Sequence, residues 1–217
     1  MKNKKILAAT MTSFILASSL SAQLLITGVF DASLSGGTPK GIELYATADV
    51  ADLSTIGVGS ANNGGGSDSE EFTLEGSATA GEFIYISSES AQFTNWFGFA
   101  PTFTTNAMGI NGDDAIELFS NGVVIDTFGD INVDGSGEAW DYLDGWAYRN
   151  SGSVAGAFVV SDWSFSGTNA LDGETTNSSA TSAIPIGTYS VPEPSTFALL
   201  AGMFALASVM VRRRSLR

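Results

Sequence analysis

Residues 115–128 read AIELFSNGVVIDTF. Ala115 to Phe119 alternates apolar and polar side chains. Asn121-Gly122 then joins it to a second apolar run, Val123–Phe128. Both central residues of a two-residue type I′ turn need φ > 0, which Asn and Gly tolerate, so the stretch predicts a β-hairpin. One hairpin cannot stand alone in water and needs further strands over its apolar face. The chain supplies them as short runs rich in Ile, Val, Phe and Tyr between Gly, Asn, Ser and Asp clusters. These runs are Leu24 to Phe30, Gly41 to Tyr45 (GIELY), Glu71 to Leu74, Glu82 to Ser87 (EFIYIS), Phe158 to Val160 and a last one at Gly187 to Val191. No helix of ten or more residues is expected between the two apolar ends of the chain. The expected architecture is all-β, a β-sandwich. Gly59 to Ser69 (GSANNGGGSDS) is expected to be a mobile tip. Leu171 to Ser182 is expected to be a long loop or the lead into a linker.

The two ends read as addresses and not as fold. Lys2, Lys4 and Lys5 precede an apolar stretch from Ile6 to Leu20 and then small residues, the pattern of a secretory signal peptide. Cleavage is expected after Ala22, with Ser21 as the second candidate. At the other end Val191, Pro192, Glu193 and Pro194 break any regular structure. An apolar run from Phe197 to Val211 follows, and Arg212, Arg213 and Arg214 close it. Its 15 residues give about 22 Å of helix, short for a hydrocarbon core of about 30 Å. The arginines favour the cytoplasmic side and leave the preceding domain outside. This order resembles the PEP-CTERM sorting tail of Gram-negative bacteria that make exopolysaccharide. The resemblance implies export, a transient stay in the inner membrane and cutting near Pro-Glu-Pro by an exosortase, with the cell surface or extracellular matrix as destination. The expected organisation is a signal peptide at 1–22, a sandwich at 23–170, a linker with the last strand at 171–190, and a sorting tail at 191–217 with a transmembrane segment at 197–211.

Charge and absences narrow the chemistry. Only Lys40 and Arg149 stand against all 23 acids in residues 23–194, a net charge of −21. Such a domain repels nucleic acid and anionic polymers unless cations bridge them. There is no Cys and no His. That removes disulfides, thiol and Ser-His-Asp catalysis and the usual zinc sites. Arg149 is expected to pair with an acid.

Taken in order, LLITGVFD (24–31), KGIELY (40–45), DLSTIGV (52–58), TAGEFIYI (79–86) and GDDAIELFSNGVVIDTFG (112–129) resemble a bacterial lamin tail domain. AWDYLDGWAYRNSG (139–152) and SDWSFSG (161–167) extend the resemblance, which covers roughly Leu24 to Gly167. It implies an immunoglobulin-like sandwich serving as a binding or attachment module, and it brings no catalytic residues.

Asp130 to Asp141, DINVDGSGEAWD, fits the calcium-loop pattern D-x-[DN]-x-[DN]-G. Asp130, Asn132, Asp134, Ser136, Glu138 and Asp141 are the candidate ligands of a structural Ca²⁺. Asp141 stands where an EF-hand has a bidentate Glu, and no flanking helices are expected. A metal-free turn fits the same residues. Beside the loop, Trp140 and Tyr142 are candidates for stacking on a ligand, whereas Trp146 and Trp163 are expected in the core. Three function classes follow. The first is a non-enzymatic surface or matrix protein, and the second a calcium-dependent carbohydrate or exopolysaccharide binder. The third and least favoured is a hydrolase using Asp113 and Asp114, which as strand neighbours would face opposite ways.

Overall fold

The computed structural model describes residues 22–191, with Gly202 and Leu206 as isolated positions beyond them. Ten strands form: β1 (Leu24–Leu34), β2 (Thr38–Ala46), β3 (Ile56–Ala61), β4 (Phe72–Thr73), β5 (Phe83–Ser87), β6 (Phe103–Thr104), β7 (Ala115–Ser120), β8 (Val123–Phe128), β9 (Gly145–Arg149) and β10 (Trp163–Phe165). One helix, α1 (Ala91–Phe97), lies between β5 and β6. Six strands make one sheet in the order β10-β9-β1-β2-β5-β6, and four make a second in the order β4-β3-β7-β8. All neighbours are antiparallel except β5 and β6. The protein is all-β, as expected, and its two sheets share one core.

That core joins Leu24, Ile26 and Val29 of β1 and Ile42 and Leu44 of β2 to Val58 of β3, Ile116 and Leu118 of β7 and Phe128 of β8. β1 is buried along nearly its whole length, which explains why LLITGVF shows no simple alternation. Leu25 packs with Tyr148 and Tyr189 on the opposite face of the sheet, and Phe30 and Ala32 pack there with Phe93, Trp96, Leu171 and Ile184. The pairing of β1 with β2 slips between Ile26 and Gly28. The extra residue of this bulge lets Ile26 and Val29, three apart, face the same core. The six-stranded sheet is thus covered twice, by the second sheet inside and by α1 with residues 171–190 outside.

The hairpin forms where the sequence places it, with Asn121 at φ 51° and Gly122 at φ 73°. Helix α1 starts on Glu89, whose carboxylate accepts the backbone N–H groups of Gln92 and Phe93 at 2.7 and 3.2 Å. It ends at Gly98, φ 82°, and buries Phe93 and Trp96.

Four expectations need correction. Phe158 to Val160 is not a strand. Phe158 plugs against Phe128 and Trp140 while Val159 and Val160 stay exposed, and the strand forms later at Trp163–Phe165. Gly187 to Val191 joins no sheet, because its N–H groups go to side chains. Gly59 to Ala61 belong to β3, and the rest of that Gly-rich stretch is docked: Gly66 N–H donates to Ile131 O at 2.8 Å, and Asn63 N–H to Asp114 Oδ1 at 2.9 Å. Residues 171–190, read as linker and last strand, pack on the sheet through Leu171, Ile184 and Tyr189. The signal peptide up to Ser21 and the apolar run at 197–211 lie outside the described residues. No helix among the described residues is long and apolar enough to cross a membrane.

Candidate functional site

The end of the fold is built on Glu43. It has no exposure, and among the described residues no cation pairs with it. Instead Thr27 Oγ1 and Tyr148 OH donate to Oε1 at 2.6 and 2.5 Å, and Gly187 N–H donates to Oε2 at 2.6 Å. Burial raises its pKa, against the pull of these hydrogen bonds. Tyr148 OH in turn accepts the N–H groups of Thr188 and Tyr189, both at 3.2 Å. Tyr189 packs its ring on Tyr45, with centroids 5.1 Å apart, and donates to Ser153 O at 2.6 Å. Ser190 N–H donates to Ser151 Oγ, and Ser190 O accepts from Gly152 N–H, each at 3.1 Å. The chain is therefore pinned through Ser190, and Val191 is 47% exposed. Pro192, Glu193, Pro194 and Arg212 to Arg214 lie outside the described residues. Sequence reasoning missed this anchor. In GIELY, Glu43 reads as the solvent side of a half-buried strand, and nothing local announces the segment 144 residues later that covers it.

The acidic loop lies at the other end of β8. Asp130 Oδ1 accepts Asn132 N–H and Asp134 Oδ1 accepts Ser136 N–H, each at 2.9 Å. Asp141 accepts Gly137 N–H at 2.8 Å and Leu143 N–H at 3.0 Å. Ser136 Oγ donates to Asp113 Oδ2 at 2.9 Å. These carboxylates cap their own turns, as Asp and Asn do in metal-free loops. Among the described residues no three acidic side chains converge as a metal group would require. Glu138 closes a turn only through its backbone. Gly64 lies so close that a Cβ there would stand 2.5 Å from Asp134 N.

Trp140 and Tyr142 are not available for stacking, which corrects that expectation. Trp140 is 5% exposed and Tyr142 fully buried, both edge-on to Phe128 in the core. Tyr142 OH donates to Asp114 O at 3.0 Å. The partly exposed aromatic surface lies at α1: Phe99 is 37% exposed, and its ring is 5.0 Å from Tyr85 and 6.0 Å from Phe97.

The remaining ionisable groups hold structure. Asp114 is buried and accepts the N–H groups of Asn63 and Asn111, both at 2.9 Å, whereas Asp113 accepts from Ser136. The pair therefore shares no partner. Arg149 reaches across the core as expected of a paired cation. Its Nη2 donates to both oxygens of Asp126 at 2.8 Å, Nε to Ile26 O at 2.6 Å and Nη1 to Val154 O at 2.8 Å. It also lies 4.6 Å from the Trp163 ring centroid. Lys40 donates to Asp31 at 2.8 Å and to Asn111 Oδ1 at 3.1 Å. Burial outweighs that partner and pushes the Asp31 carboxyl up to about 6.

No match to the chain was found among curated proteins or among solved structures. One family model does match, the PEP-CTERM protein-sorting motif, over residues 190–214. Its first residue is Ser190, the last one the fold pins. The chain thus carries, directly behind a packed β domain, the motif of exported proteins sorted through the membrane and processed by an exosortase.

Proposed function

We propose that the protein is a non-catalytic surface or matrix module, a lamin-tail-like sandwich delivered outside the cell for binding or attachment. The observation that carries this reading is the junction at Ser190, where a fully anchored domain meets a sorting motif with no intervening segment. The strand order supports the immunoglobulin-like part. β1-β2-β5 facing β4-β3-β7-β8 follows the A-B-E and C′-C-F-G pattern of such sandwiches, with β9 and β10 added beside β1. The non-catalytic part is supported by the use of the carboxylates. Glu43, Asp114 and Asp126 are all committed to holding backbone or Arg149.

Attachment to an exopolymer is the role that the sorting tail suggests. At −21 the mature domain gains nothing from charge against an anionic polymer. Tyr85, Phe97 and Phe99 offer partly exposed aromatic faces that can stack on sugar rings. The test is retention on exopolymer purified from the producing cells. We expect salt-insensitive binding that weakens at least several-fold in Phe99→Ala. No retention of the wild type would refute exopolymer attachment, and hydrolysis of the polymer by the pure protein would refute the non-catalytic reading.

A further inference from the structure

Lys40 is the one lysine between the two ends of the chain, and its ammonium sits between a carboxyl and a carboxamide. Nζ donates to Asp31 Oδ1 at 2.8 Å and to Asn111 Oδ1 at 3.1 Å. The three side chains come from both sheets. Asp31 and Lys40 are partners across the β1–β2 ladder, and Asn111 lies on the segment leading into β7. Each backbone is held. Lys40 O accepts from Ser88 N–H at 3.0 Å and from Ser87 Oγ at 2.8 Å. Asn111 N–H donates to Asp114 Oδ2 at 2.9 Å. On one side of it Ile110 is buried, and on the other a Cβ on Gly112 would stand 2.3 Å from Leu143 Cα. The Asp31 side chain is 2% exposed and that of Lys40 13%, whereas Asn111 faces solvent. An amine, a carboxamide and a buried carboxyl are the nucleophile, the electrophile and the proton carrier of an amide transfer.

We propose that these three side chains react within the folded domain and join Lys40 to Asn111 by an amide bond between Nζ and Cγ. The bond that breaks is Cγ–Nδ2. Lys40 starts as an ammonium and ends as an amide nitrogen with one hydrogen. Two protons therefore leave Nζ, and both depart with Nδ2 as an ammonium ion. Asp31 takes the first proton and returns it to Nδ2 as the tetrahedral intermediate collapses, so it starts and ends as a carboxylate. Burial, against the pull of Lys40, pushes its carboxyl up to about 6 and makes it a stronger base than an ordinary aspartate. The step needs no oxidant and no second substrate. Attack requires Nζ about 3–3.5 Å from Cγ, and the carboxamide can turn about its broad terminal torsion to present that carbon. The exposed side of Asn111 lets the ammonium escape to water. The product ties the two sheets together across 71 residues. It gives an exported domain without Cys the covalent staple that a disulfide would otherwise supply.

Mass spectrometry of the full chain, purified, unfolded in urea and digested with trypsin, tests the bond. Trypsin does not cut after an acylated lysine, and Lys40 is the one site for it between Lys5 and Arg149. We expect a fragment that ends at Arg149, keeps Lys40 uncut and is about 17 Da light, the mass of one ammonia. Lys40→Arg keeps the cation beside Asp31 but has no amine to react, and should show the full mass. Asp31→Asn should form the bond at least tenfold more slowly. Wild-type protein that is folded, is cut after Lys40 and has its full mass would overturn the proposal. A loss of about 17 Da that persists in Lys40→Arg would also overturn it, because it would come from ring closure at an Asn-Gly backbone such as 111–112. A loss of about 18 Da with Lys40 joined to Asp31 would make the acid the electrophile and overturn the assignment to Asn111. Unslowed bond formation in Asp31→Asn would overturn the role given to Asp31.

Discussion

Replacing Arg149 by Met should cost the domain a large share of its stability. Asp126 has no exposure and would keep only the N–H groups of Ile26 and Gly156, at 2.8 and 2.9 Å. The substitution removes both contacts to Asp126 and the bonds to Ile26 O and Val154 O. It also removes the cation from the Trp163 ring. Breaking a buried pair from one side costs about 3–5 kcal/mol, because a carboxylate is left uncompensated. Domains are stable by about 5–15 kcal/mol in total, so the loss is not a detail. At about 2–4 °C per kcal/mol for a domain of this size, the melting temperature should fall by roughly 6–20 °C. Urea unfolding followed by tryptophan emission gives the free energy itself. Asp126→Asn with Arg149→Met should recover part of the loss: no buried charge is left, and the amide oxygen can still accept from Ile26 or Gly156 N–H, while Ile26 O and Val154 O stay without their donor. A loss below about 1 kcal/mol in Arg149→Met would refute the claim that this pair locks β8 to β9 and β1. So would a double variant no better than the single one.

Four further outcomes follow from the same geometry. An acid raised to about 6 in the fold releases its proton later than in the unfolded chain, at about 3.9. Stability should therefore fall as pH rises from about 4 to 6. Melting should come later at pH 5 than at pH 7.5, and Asp31→Asn should flatten the profile; earlier melting at pH 5 would contradict this. Gly64→Ala should destabilise by about 2 kcal/mol in urea, because the new Cβ meets Asp134 N at a positive φ of 70°, whereas a mobile loop would show no effect. Glu43→Ala should release the segment from Ile184 to Ser190, seen as faster amide exchange there and as new protease cuts; unchanged protection would show that Tyr189 alone holds it. Adding calcium or chelator should leave the melting temperature unchanged. A rise of about 5 °C or more with calcium, lost in Asp134→Ala, would assign the metal to the loop, since a hundredfold excess over Kd gives about 2.7 kcal/mol.

The parts of the fold legible in the sequence are those whose side chains alternate against one core. GIELY, EFIYIS and the hairpin at 115–128 all became strands near their expected bounds. β3 was hidden by its glycines. Gly59 reads as the start of a loop and no strand is read around Gly57, yet a Cβ on Gly57 would meet the Glu70 side chain at 2.3 Å, and one on Gly59 would meet Ser69 O at 2.4 Å. They are glycine because residues 69–71 cross directly over the strand. The segment at Gly187 failed the opposite way. It has strand-like composition, but its donors are taken by Glu43, Tyr148 and Ser151, three partners far away in sequence. Trp140 and Tyr142 beside an acidic loop look like a binding face. Only the packing around Phe128 shows that they belong inside. The sorting motif was the most legible functional feature because it is read as a linear order of residues and needs no fold to assemble it.

The central claim is that a domain pinned through Ser190 is exported and cut just beyond that point. Mass spectrometry of the protein recovered from the cell exterior tests both ends at once. We predict an N-terminus at Ala22 or Gln23 and a C-terminus between Val191 and Pro194, free or carrying an added group. Surface protein that still ends in Arg217, or that ends inside the segment held by Glu43 and Tyr148, would contradict the account.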